Sequence, residues 1–155
     1  MRHKIFVCSV LGTALALGLG WRFLLARPYT TVTFSDGSVV LVEIVDTPKA
    51  RMAGLGGRSQ LARASGMLFV FQGNPAPYAF WAKDMRFLID IIWLNGDEIV
   101  DIASNVTPPQ KGETPPLYTP RAAADRAIEV VGGFTQEKRI LIGSKVGIDK
   151  KVTFR

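Results

Sequence analysis

Residues 66–94 read GMLFVFQGNPAPYAFWAKDMRFLIDIIWL, and this stretch decides the fold. Met67 to Phe71 and Ile89 to Leu94 are apolar at nearly every position, the pattern of strands covered on both faces. Gln72 to Pro77 reads as a loop. Ala79 to Lys83 reads as a strand that alternates, with Phe80 and Ala82 on one face and Trp81 and Lys83 on the other. Phe80, Trp81, Lys83, Asp84, Arg86 and Asp90 make this the densest polar and aromatic cluster in the chain, so any ligand or substrate is expected here.

Working outward, Thr30–Phe34 and Val39–Val45 are β-branched runs joined by Ser35-Asp36-Gly37-Ser38. Asp-Gly between such runs predicts a hairpin, because Gly accepts the positive φ of a tight turn. Asp46-Thr47-Pro48 predicts a helix start, with a side-chain cap followed by Pro at the first helical position. Gly54 ends that helix. The glycines at 54, 56 and 57 match no phosphate-binding spacing and are expected to serve tight turning. Beyond the central stretch, Glu98–Ala103 and Ala127–Val131 read as strands, and Asp97 and Asp101 read as a solvated face. Thr135–Leu141 reads as a short helix and Lys151–Phe154 as a last strand. Five prolines between 108 and 120 mark a long loop, which in a compact domain is more often functional or mobile than incidental. Many short strands with Gly or Pro turns and two short helices predict a mainly β domain, a small β-sandwich or partly closed barrel.

Charge and composition remove several function classes. The chain has 155 residues and a formal charge of +6, but four of its 19 Lys and Arg lie in residues 1–27 with no carboxylate. Residues 28–155 then carry 15 positive side chains against 13 negative, with Lys150, Lys151 and Arg155 at the very end. A nucleic-acid binder concentrates basic residues on its folded surface, so no nucleic-acid partner is expected. The single Cys8 and single His3 both lie in the N-terminal tail. From Pro28 onward, imidazole-assisted nucleophiles and His or Cys zinc sites are therefore excluded. No metal site and no cofactor is expected.

Ile5–Trp21 is uncharged and apolar, and Arg22 can snorkel to lengthen the span to about 20 residues. Arg2 and Lys4 before it suit a signal peptide or an uncleaved signal-anchor. The length and the lack of a convincing cleavage site favour an anchor, residues 1–27, ahead of a domain over 28–155. That domain is expected outside the inner membrane, on its periplasmic or extracellular side, held through residues 5–25. Secretion after signal cleavage is the alternative.

The order VEIVDTPKARMAGLGGRSQL, then GMLFVF, then FWAKDMRFLIDIIWL, then a late Gly-x-Lys-Val-Gly turn, resembles the DUF192 (UPF0127) family from about Val42 to Phe154. The resemblance implies a small mainly β domain, commonly behind an export signal, and supplies no activity. The family's R-G-L-M-x-R segment falls on 53–58, where Ala53 and Gly56 replace its first Arg and its Met, and Arg58 is kept. Its F-W-M-K-N segment falls on 80–84, keeping Trp81 and Lys83 but placing Ala82 and Asp84 where the family has Met and Asn. Leu88 replaces a proline, Asp90 is kept, and Ile148 stands where the closing turn has Asp.

Asp90, set among isoleucines, is costly to bury unpaired, so a cationic partner, Lys83 or Arg58, is expected unless it faces solvent. The plainer reading of that pair is a structural tie between two strands. Trp81 beside Lys83 suits a ligand platform, although Trp is also a common core residue. Tyr118, ending the proline loop, either closes over the site or packs on the domain. Two function classes result. One is a binding or assembly module using Arg58, Trp81, Lys83, Asp90 and Tyr118 around a small molecule, peptide or glycan. The other is a glycosidase-like hydrolase with an acid–base pair drawn from Asp84, Asp90 and Glu129.

Overall fold

The computed structural model describes residues 28–149 and 152–153. The expected membrane segment, residues 1–27, lies outside them. Among the described residues no helix is long and apolar enough to cross a membrane.

The chain builds one curled sheet, a half-barrel, rather than two stacked sheets. β1 (Pro28–Thr33) and β2 (Val39–Val45) form the expected hairpin, with Gly37 at φ 83° in the turn. α1 (Pro48–Ala53) follows. Thr47 caps it by accepting a hydrogen bond from the Ala50 N–H at 3.2 Å, Pro48 opens it, and Gly54 closes it at φ 48°. The helix is the crossover that lets β3 (Ser65–Val70) pair parallel to β2. β8 (Arg126–Val131) lies next to β3, then β5 (Ile89–Asn95), then β6 (Glu98–Val106) at the edge. β4 (Phe80–Trp81) and β7 (Leu117–Tyr118) form a separate ribbon, so the expected strand over 79–83 shortens to two residues.

The C-terminal segment brings the two sheet edges together. Gly143 N–H donates to the Ile99 carbonyl at 2.8 Å and Ile99 N–H to the Ser144 carbonyl at 2.9 Å, which holds the segment on β6. A few residues later β9 (Gly147–Ile148) pairs with β1, and β10 (Val152–Thr153) extends that edge. This closure involves only a few residues per edge, too few for periodicity to reveal in the sequence.

The sheet has a core on each face. Val32, Val42, Leu68, Ile92, Leu94 and Ile128 pack inside the curl together with Phe134 of α2 (Phe134–Glu137). Met67, Phe69, Ile89, Ile91, Trp93 and Ala127 face the other way, under Leu55, Phe80, Ala82 and Met85. The strand period of two assigns alternate residues of β5 and β8 to these faces, which is why both read as continuous apolar runs. Gly66 allows the close pairing of β3 and β8: a Cβ there would sit 2.5 Å from the Glu129 carbonyl oxygen.

Candidate functional site

Three aromatic rings pack on the outer face of the sheet. Phe80 meets Phe69 edge-on at 4.9 Å and Trp93 at 5.8 Å, and Trp93 donates its indole N–H to the Tyr78 carbonyl at 3.0 Å. Phe71 stacks on Tyr78 at 3.8 Å, with the Arg51 guanidinium 5.3 Å from its ring centre. Arg51 is anchored by donating to the Asp46 and Val70 carbonyls at 2.7 and 2.9 Å. These contacts place α1 and the turn at 54–57 on one side and residues 79–86 on the other. Gly57 N–H donates to the Asp84 carbonyl at 2.9 Å, joining the two walls. The glycines at 54 and 57, at φ 48° and 77°, do the tight turning expected of them.

Between the walls lies a cleft of about 1090 Å³. Phe69 and Glu129, from the central strands, form its floor, and Phe80 and Met85 line its side. Met52, Trp81 and Leu117 stand exposed around its mouth, with Lys83, Asp84 and Arg86 between them. Lys83 Nζ lies 5.5 Å from the Trp81 ring centre, a cation–π placement.

Glu129 is the informative group. Its row across the sheet is Glu43, Met67, Glu129, Ile91, on strands β2, β3, β8 and β5. Only 4% of Glu129 is exposed, and its Oε2 is the buried side-chain oxygen without a hydrogen-bond partner among the described residues. Arg58 donates to Glu43 Oε2 at 2.7 Å, so it is committed there and does not line the cleft. Burial lifts the Glu129 carboxyl from an ordinary 4.5 to about 8, and the positive charge of Arg58 offsets this only in part. Glu129 is a neutral acid at pH 7.

Asp90 sits on the opposite face. Fully buried, its Oδ1 accepts from the Asn105 and Gly133 N–H groups at 2.7 and 3.1 Å. Its Oδ2 accepts from the Thr135 N–H and hydroxyl at 2.8 and 2.7 Å. The pairing of β5 with β6 slips between Ile89 and Ile91, and Asn105 takes φ 54° there. Asp90 thus binds amides freed by a bulge and by the start of α2. The expected cationic partner is replaced by three backbone N–H groups and the Thr135 hydroxyl: Lys83 is across the sheet, and Arg58 is on Glu43. Asp101 also differs from expectation. Burial raises its carboxyl, but the Arg121 side chain and N–H, at 2.6 and 2.7 Å, outweigh this and hold it below the usual carboxylate range. Tyr118 pairs with Phe80 and packs on the core, while its neighbour Leu117 lines the cleft. Among the described residues no group of three or more His, Cys, Asp or Glu is placed to hold a metal ion.

The family model for DUF192, described as uncharacterized ACR, COG1430, matches residues 31–148. The chain belongs to the DUF192 family. No curated protein matches it. Among solved structures, this DUF192 domain is similar to a protein of Sinorhizobium meliloti 1021 described as a "putative transcription regulator". The identity is 22% and the TM-score 0.68, covering 79% of this chain and 94% of the other. It is also similar to a protein of unknown function from Novosphingobium aromaticivorans DSM 12444. There the identity is 28% and the TM-score 0.64, covering 77% and 83%. The first likeness shows a shared fold and nothing of regulation.

Of the ligand-binding residues expected from the sequence, Trp81 and Lys83 reach the cleft, with Asp84 and Glu129 beside them. Arg58, Asp90 and Tyr118 do not line it. Glu43, the partner of Arg58, went unnoticed in the sequence. Its signal, a carboxylate inside the β-branched run 39–45, is the same one that marks Glu129 within 127–131.

Proposed function

We propose that this DUF192 domain is a binding module for a small organic ligand held in the cleft between α1 and residues 79–86. The observation that carries the reading is Glu129, a buried carboxyl with an unpartnered oxygen on the floor of an aromatic-lined cleft. A buried polar atom without a partner costs about 1–3 kcal/mol, which a ligand atom can recover on binding. A large, mostly apolar cleft with a few polar groups is the usual form of a small-molecule site, and Trp81 at its mouth supplies a flat contact surface. Residues 5–25 would hold the module at the outer side of a membrane, where its ligand would be a small molecule, a peptide end or a glycan.

Ligand binding to the native state raises apparent stability. A thermal-shift screen of the full chain against sugars, short peptides, cell-wall fragments and organic acids and amines therefore tests the reading. A hit lost in Trp81→Ala and altered in Glu129→Gln supports it. Hits insensitive to both substitutions would place binding elsewhere.

Hydrolysis is the second reading, and one observation favours it: Asp84 and Glu129 line the same cleft. Glu129 would be the acid and Asp84 the base. Asp90 has no part in that form. Turnover of a glycan or ester that Asp84→Asn abolishes without weakening binding would support hydrolysis over simple binding.

A further inference from the structure

The charges around the cleft are distributed unevenly. Lys83 and Arg86 are exposed at its mouth, and among the described residues neither makes an ion pair. Asp84 is the one carboxylate between them. The middle is apolar, formed by Phe80 and Met85 on the side with Phe69 beneath them on the floor. The floor ends in Glu129, whose Oε2 has no partner among the described residues. From mouth to floor, the sequence is therefore cation, apolar surface, hydrogen-bonding acid.

Resting on the binding reading above, we propose that the ligand is a small organic anion. Its carboxylate or phosphate meets Lys83 and Arg86, its apolar body lies on Phe69, Phe80 and Met85, and its inner end presents an oxygen to the Glu129 carboxyl. A ligand amine would instead meet two cations on entry. The inner oxygen supplies the partner that Glu129 Oε2 lacks among the described residues.

The groups bearing on Glu129 can be named. Arg58 and Glu43 lie on its β2 side, and Lys83, Asp84, Arg86 and Arg51 surround the cleft. The flanking strands β3 and β5 place only Met67 and Ile91 beside it. Protonated Glu129 donates to the ligand oxygen. Its ionisation, centred near pH 8, removes that donor and puts a negative charge under an anion.

Three probes of one shape separate the components: hydroxyphenylpropionate, phenylpropionate and tyramine, titrated into the full chain by calorimetry and protein-observed NMR. Hydroxyphenylpropionate should bind at pH 6.5 with shifts in cleft residues, and phenylpropionate about tenfold more weakly for want of the inner oxygen. Tyramine should not saturate. Above pH 8 the affinity for hydroxyphenylpropionate should fall in the native chain. Glu129→Gln, which keeps a donor, should hold the affinity flat across the same range. Joint replacement of Lys83 and Arg86 by Ala should remove the preference over tyramine. Tighter binding of tyramine would overturn the assignment of an anion while leaving the binding module standing. A flat profile in the native chain would overturn the role of Glu129. If none of the three shifts a cleft residue, the anion proposal falls, and the broad screen decides separately whether the binding module falls with it.

Discussion

Asp90 and Glu129 lie on the adjacent antiparallel strands β5 and β8, one residue out of register, and their carboxyls serve opposite faces of the sheet. Asp90 is paired with Val130, and Glu129 with Ile91. One carboxyl is saturated by four hydrogen bonds, and the other lacks a partner for Oε2. The same residue chemistry thus yields a structural anchor and a candidate ligand contact a few ångströms of sheet apart.

Asp90→Asn should destabilise the domain. The amide nitrogen must face donors where an oxygen accepted from them, leaving buried N–H groups unpaired. A loss of about 2–4 kcal/mol is expected, read as a lower urea midpoint with unchanged slope. Lys83→Ala should stay within about 0.5 kcal/mol, because Lys83 is exposed and is not the partner of Asp90. An equal drop in both variants would restore the ion pair.

Glu129 should make the domain less stable as pH rises. Its folded value, about 8, lies above the ordinary 4.5, so the folded state holds a proton that the unfolded state has released. Below pH 4.5 both states are protonated and there is no penalty. Between about 4.5 and 8 the penalty grows, and above 8 it is complete. By pH 7 it is on the order of 3 kcal/mol. Glu129→Gln should flatten this slope, so its advantage over the native chain is larger at pH 8 than at pH 4.5. Parallel stability profiles for the two chains would refute the neutral acid.

Gly66→Ala should be strongly destabilising although the residue lies within a strand. The added Cβ would sit 2.5 Å from the Glu129 carbonyl oxygen and 3.2 Å from a Val130 methyl. Two paired central strands cannot separate locally, and overpacking of this kind costs about 1–3 kcal/mol. Gly73→Ala, where nothing lies within 4 Å but φ is 98°, separates the two causes: its loss would come from backbone strain alone. Thermal melts of both variants make the comparison.

Trp81→Ala should alter binding far more than stability. The side chain is 44% exposed at the cleft mouth, whereas Trp93 is 1% exposed. Trp81→Ala is expected to cost less than about 1 kcal/mol, and Trp93→Ala about 3–5 kcal/mol. Chemical denaturation of the two variants distinguishes them. A large loss at Trp81 would make it core and remove the platform.

Local chemistry determined much of this protein. The Asp-Gly hairpin, the Thr47-Pro48 helix start, the Gly54 stop and the doubly covered strands at 67–70 and 89–94 follow from turn geometry, capping and apolar patterning. Trp81 and Lys83 were legible as neighbours, but Lys83 lies in the turn after a two-residue strand and reaches the Trp81 ring from there, not from a shared strand face. Tertiary structure alone decided the rest. Whether Asp90 meets a cation or a set of amides and a hydroxyl depends on a bulge at Asn105 and on where α2 begins, with donors 43 and 45 residues further along the chain. Whether Arg58 reaches the cleft depends on Glu43, brought beside it by a parallel crossover. That Glu129 Oε2 is left without a partner among the described residues follows from what the neighbouring strands place around it, Met67 and Ile91. Spacing within a strand fixes which face a residue takes. It cannot fix which distant donors fold onto that face, because they arrive through strand order and register.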